Sequence, residues 1–206
     1  MKLYGHPLSS CTRKVLMTFA EKATHVDVVP VDLFTGAHKQ PEHLARHPFG
    51  VVPVLDDDGF VLFESRAIVR YLDSRLGGAS LVPAAAPERA RMDQWLSVDQ
   101  SYVAPHVRAL AIQRIVRKHD GHPADPAVVD EAERALAQAF ATIDRALSGA
   151  RYLAGELFSL ADISLMPYVA GLAMVEASHV LGDLRHVTRW WDEVSARAAW
   201  RRAIAA

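Results

Sequence analysis

Residues 49–68 read FGVVPVLDDDGFVLFESRAI. A Val-Pro step opens a short apolar run, Asp56-Asp57-Asp58-Gly59 marks a hairpin turn, and a second run leads into a helix that begins at Glu64-Ser65. Proline fits only an edge strand or the first position of a strand. The reading therefore puts Val52-Pro53 on an extended edge, with the Val52 N–H and C=O facing outward. A helix N-terminus offers free N–H groups and the positive end of a dipole. An extended peptide with a carboxylate at one end suits both features.

Working outward, Lys2-Leu3-Tyr4 forms a short strand before the turn Gly5-His6-Pro7. Val15, Leu16, Phe19 and Ala20 make a helical stripe, and the β-branched run Val26–Val31 predicts a second strand. Strands near 52–55 and 61–63 flank the hairpin, and the helix from Ser65 stops at Gly77-Gly78. Residues 1–78 thus form an α/β domain of order βαβ, a loop with one turn of helix, then ββα. Residues 79–87, rich in alanine and proline, are a linker, and 88–206 form an all-helical bundle. In that second part Asp125-Pro126 caps a helix carrying Val129, Ala132, Leu136, Phe140, Ile143 and Leu147 at three- and four-residue steps. Phe158-Ser159-Leu160-Ala161-Asp162-Ile163 combines a capping box with a hydrophobic staple.

The 206 residues carry 23 basic and 24 acidic side chains, a net charge of −1, with no basic block. That balance argues against nucleic acid and acidic membrane surfaces as partners. The longest uncharged stretch, between Asp162 and Glu176, is too short to span a bilayer. The fold starts at once from Met1, leaving no room for a signal peptide. A single cysteine, Cys11, rules out an internal disulfide and suits a reducing compartment, so a cytoplasmic protein is expected.

These segments resemble the cytosolic glutathione transferases over essentially the whole chain, and most of all the phi class in a bacterial style. The resemblance is carried by Gly5-His6-Pro7-Leu8-Ser9-Ser10-Cys11-Thr12-Arg13-Lys14-Val15, Gly36-Ala37-His38-Lys39, Pro48-Phe49-Gly50-Val51-Val52-Pro53, Phe63-Glu64-Ser65-Arg66-Ala67-Ile68 and Phe158-Ser159-Leu160-Ala161-Asp162. It implies a thioredoxin-like first domain, a cis Pro53, a homodimer and glutathione as co-substrate, with no metal. Phi members often carry Gln where this chain has Val51.

Glutathione strings two carboxylates, an ammonium and a thiol along an extended backbone. Val52, beside Pro53, can pair with its central peptide like an added strand. Ser65 and the helix-start amides can hold the γ-glutamyl carboxylate, with Glu64 orienting the site or meeting the ammonium. His38 and Lys39 can neutralise the glycyl carboxylate. The resemblance puts the thiolate-stabilising serine at Ser9, with Ser10 as the fallback and Cys11 as the rival nucleophile near a helix start. Leu8 and Phe34, with Tyr102, His106 and Leu110 from the helical part, are expected to line the pocket for a small electrophile. Phe49 is expected either to enter a partner subunit or to pack locally. His43 and His47, four apart, read as surface histidines, since no third metal ligand accompanies them.

The function expected is conjugation of the glutathione sulfur to electrophilic, mostly apolar small molecules. One alternative follows from the Ser9-Ser10-Cys11 run, which also resembles zeta-class members that isomerise maleylacetoacetate with glutathione. The other is a non-enzymatic interaction module on the same fold.

Overall fold

The computed structural model describes residues 1–205. The chain divides into two compact units: Met1–Val82 together with the chain from Ala196 onward, and Pro83–Ser195. The sequence predicts a helical part running from 88 to the end, whereas the final helix belongs with the first unit.

In the first unit the strands are β1 (Lys2–Gly5), β2 (Asp27–Pro30), β3 (Val54–Asp57) and β4 (Phe60–Phe63), ordered β2-β1-β3-β4 in one sheet. β1 runs parallel to β2 and antiparallel to β3, and β4 pairs antiparallel with β3. The β3–β4 turn is Asp58-Gly59, both at positive φ (51° and 96°), the conformation that a two-residue hairpin demands. Asp56 Oδ1 accepts from Gly59 N at 2.8 Å and helps close it.

Val52-Pro53 is not the sheet edge that the sequence predicts. β3 is paired on both sides, so Val52-Pro53 does not lie on an edge strand. The two residues stand just ahead of β3, outside the ladder that begins at Val54. Proline is tolerated there because its missing N–H falls before the first ladder bond. The Val52–Pro53 bond is cis, as the resemblance implied.

The helices of this unit are α1 (Ser10–Glu21), the short α2 (Pro41–Leu44), preceded by a 3₁₀ turn at Ala37–Lys39, and α3 (Ser65–Arg75). Leu3, Val15, Met17, Val54, Leu55, Ile68, Val69 and Leu72 are wholly buried and form the core. The chain returns as α10 (Ala198–Ala205), which packs on α1. Arg197 ties this return to Glu21 through two charge-assisted bonds of 2.6 and 2.9 Å.

In the second unit α4 (Ala86–Val98), α5 (Ala104–Ala111) and α6 (Arg117–His119) run on as one helical stretch, interrupted by π-helical segments at Asp99–Val103 and Ile112–Val116. The first interruption precedes Pro105, which has no N–H to give to the turn before it. α7 (Pro126–Leu147) buries the expected stripe, from Val129 to Leu147. α8 (Leu160–Met174) is apolar on nearly every side and packs against α4, α5 and α9 (Arg185–Ser195). Among the described residues no helix is long and apolar enough to cross a membrane.

Candidate active site

The sheet register gathers the segments that carry the first unit's predicted glutathione-binding residues. Tyr4 lies opposite Val54, Val54 opposite Phe63, and Gly5 opposite Pro30. β1, β2 and β4 therefore end where β3 begins. The loop to Ser9, the segment leading to His38 and Lys39, the Val52-Pro53 step and the start of α3 all leave from that one end of the first unit.

Ser9 is the N-cap of α1, in extended conformation, and its Oγ accepts from Thr12 N at 3.3 Å. An oxygen engaged in this way keeps its own O–H free to donate elsewhere. Its loop is held tightly. Ser9 N donates to the His6 carbonyl (2.9 Å), Leu8 N to His6 Nδ1 (3.2 Å), and Arg13 Nε to the Pro7 carbonyl (2.8 Å). His6 N donates to Thr12 Oγ1 at 3.3 Å, and a Cβ at Gly5 would sit 2.5 Å from Thr12 Cγ2, so glycine is required where β1 passes α1. Ser10 and Cys11 follow as the first two residues of α1, both half-buried.

The start of α3 is different. Glu64 occupies the cap at φ 71°, and no side chain caps the first amides. Ser65, the first helical residue, is buried, whereas Glu64 is exposed. A positive φ at a non-glycine residue is strain held by its surroundings, and such strain clusters at binding sites. An uncapped start of an eleven-residue helix presents N–H groups to an anion.

Val52 is buried at its side chain, between Val51 and the cis proline. Lys39 is exposed, and its Nζ donates to the Phe49 carbonyl at 3.1 Å. Burial is the main cause holding the His38 imidazole below its ordinary pKa, helped by the neighbouring Lys39 and His43. Lys39 therefore carries the positive charge of this pair. His38 Nδ1 is buried and has no hydrogen-bond partner.

His43 and His47 are not surface residues, contrary to the sequence reading; they are 4% and 1% exposed. Their rings stack at 6.3 Å, and His47 lies 4.6 Å from the Phe63 ring. Periodicity misplaced them because a one-turn helix such as α2 has no apolar stripe to read. Phe49 is 71% exposed, so it does not pack as a local core residue. Leu8 and Phe34 are exposed on the first unit, with Phe34 N and Thr35 N both donating to Asp32 Oδ1. Those bonds, Phe34 first, hold the Asp32 carboxyl below the usual range.

Of the second unit's expected pocket residues, Tyr102 is exposed on a π-helical segment. Leu110 is fully buried where α5 meets α7, and it serves as core there. His106 lines an open apolar pocket of about 360 Å³ with Ala109, Ala127, Val128, Glu131 and Ala132. Thr12, Arg13 and His43 were missed as supports of the site, because their partners are loop carbonyls and amides that no side-chain pattern reveals.

Residues 1–74 match the glutathione S-transferase N-terminal domain, and residues 101–198 match the glutathione S-transferase C-terminal domain. Glutathione S-transferase F10 of Arabidopsis thaliana is 38% identical over 202 residues, which is 97% of this chain and 94% of the relative. The crystal structure of glutathione transferase F7 from Populus trichocarpa superposes with a TM-score of 0.91 at 35% identity, covering 99% of this chain and 97% of that one. Glutathione S-transferase I from mais, solved in complex with an atrazine glutathione conjugate, superposes with a TM-score of 0.88 at 31% identity, covering 99% and 96%.

Proposed function

We propose a serine-type mechanism from one premise: the chain belongs to the glutathione S-transferase family, in its phi class, and is a glutathione transferase. Glutathione is its co-substrate. The observation that carries the mechanism is the register that brings the Ser9 loop, the Val52-Pro53 step and the uncapped start of α3 to one end of the sheet.

In this reading the γ-glutamyl carboxylate sits on the free amides of α3 and the Ser65 hydroxyl, with Glu64 toward the ammonium. The Val52 peptide pairs with the tripeptide backbone. Lys39 meets the glycyl carboxylate as a point charge, and His38 contributes hydrogen bonding rather than charge. The thiol then lies at the start of α1. A free thiol titrates near ~8.5, so few molecules are nucleophilic at neutral pH. Lowering that by ~2 units takes about 2.7 kcal/mol of preference for the anion. One hydrogen bond to a charged group contributes roughly 1.5–3 kcal/mol, and a helix N-terminus roughly 0.3–1 more. Ser9 meets that demand without a general base, because its oxygen accepts from Thr12 N while its O–H remains to donate. Capping and catalysis are two uses of the same hydroxyl. The thiolate attacks an electrophilic carbon, the C–S bond forms, and the leaving group departs with its electron pair. Leu8 and Phe34 supply the first unit's apolar contacts to that electrophile.

The assembly we propose is a homodimer in which Phe49 of one copy enters the apolar pocket beside His106 in the other. Phe49→Ala should then shift the protein to monomer in sedimentation, with the bound thiol still ionised; an unchanged sedimentation coefficient removes Phe49 from the interface. Turnover tests the reaction class. Retention on immobilised glutathione and conjugation of a halonitrobenzene, without isomerisation of maleylacetoacetate, is the expected result. Isomerisation without conjugation would overturn it.

A further inference from the structure

Several contacts hold the Phe49–Val51 stretch against the segment before it, among them Gly50 N donating to the His47 carbonyl at 2.8 Å. Lys39 Nζ donates to the Phe49 carbonyl. Gly50, at φ 57°, lies so near this segment that a Cβ would sit 2.9 Å from both the His38 carbonyl oxygen and Leu44 Cδ2. His43 Nε2 lies 2.7 Å from the Val51 carbonyl oxygen. A carbonyl only accepts, so Nε2 carries the proton. The ring cannot swing away: it is buried and stacked on His47, which in turn rests on Phe63.

The Val51 C=O and the Val52 N–H belong to one planar peptide unit, and in a trans unit they point in opposite directions. Holding the oxygen fixes the plane and so fixes where the N–H aims. A hydrogen bond on the carbonyl also polarises the N–H across the same unit.

We propose that His43 is the positioning residue for the glutathione backbone: by holding the Val51 oxygen it orients the peptide whose Val52 N–H meets the tripeptide. This rests on the reading that Val52 pairs with glutathione. His43 touches no reacting atom, and its effect is on binding rather than on sulfur chemistry.

The test compares three substitutions in the full-length protein. His43→Phe keeps a ring but no donor, His43→Asn places its amide short of Val51, and His43→Gln carries an N–H close to the Nε2 position. The expected result is a KM for glutathione raised about 5–20-fold in His43→Phe and His43→Asn, with kcat at saturating glutathione within about twofold. His43→Gln should restore KM to within about threefold. The amide nitrogen resonance of Val52, recorded without ligand, should move in the first two and return in the third. A merely structural role would lower stability and kcat together and would not be rescued by Gln. Equal impairment in Gln and Phe, or an unchanged KM in Phe and Asn, overturns the proposal while native glutathione binding keeps the underlying reading intact. If the native protein itself fails to bind glutathione, the Val52 reading falls and takes this one with it.

Discussion

At the start of α8, in the second unit, the helix satisfies its own amides: Asp162 Oδ2 accepts from Ser159 N at 2.9 Å and Ser159 Oγ from Ala161 N at 3.3 Å. Asp162 Oδ1 also takes Leu153 N and Trp190 Nε1, at 3.0 and 2.9 Å. At the start of α3, in the first unit, no side chain caps the helix, and the cap residue is strained instead. The same physical problem, free N–H groups at a helix end, is closed off in one unit and left open in the other. A closed start is architecture. The open one is where we propose that the γ-glutamyl carboxylate binds.

Breaking the closed start should have the largest effect. Asp162→Ala strands four buried donors at once, the Leu153 and Ser159 amides, the Ser159 hydroxyl and Trp190 Nε1, and unsatisfied buried groups cost about 1–3 kcal/mol each. Loss of roughly 3 kcal/mol or more is expected in urea unfolding; a shift below ~1 kcal/mol would mean the network is not structural. Burial pushes the Asp162 carboxyl above its ordinary value despite these bonds.

Ser9 stands between the two extremes, because it caps α1 and, in the function we propose, also donates to the glutathione sulfur. Ser9→Ala should cut conjugation well over tenfold and cost only about 1 kcal/mol of stability, the ordinary loss of a cap. An unchanged rate would leave Ser9 as a cap alone and move attention to Ser10 or Cys11.

Ser65→Ala touches the open start and should weaken glutathione binding by about 5–10-fold at little cost to kcat, as measured by calorimetry. If stability falls and binding does not, the α3 start is not the carboxylate site.

The smallest effect concerns His38 and His47. Burial is the main cause that lowers both His47 and His38 from 6.5. Around pH 6 the unfolded chain therefore binds more protons than the folded one. Stability should be intact above about pH 6.5 and fall as the solution is acidified below it, and His47→Phe should flatten that decline in thermal unfolding. A melting temperature flat between pH 7.5 and 5.5 in the native protein would contradict it.

Much of this was legible in the residues. The capping box, the α7 stripe and the hairpin turn each carry a local signal with one physical meaning, and each stands where it was read. The final helix did not show its allegiance, because the Arg197–Glu21 pair joins residues 176 positions apart. Val52-Pro53 looked like an edge because proline excludes a ladder position without saying whether the strand that follows is internal. His43 and His47 were misread because their burial comes from neighbours in the Phe49–Phe63 stretch and not from a helix of their own. The π segments in the long helical stretch gave no pattern beyond Pro105.

The most direct measurement is the ultraviolet absorbance of the thiolate in the glutathione complex, titrated with pH in the native protein and in Ser9→Ala. The account predicts a thiol pKa about 2 units below that of free glutathione in the native complex, and most of that shift lost in the variant. A bound thiol no more acidic than the free one, or a shift that survives the loss of Ser9, would contradict it.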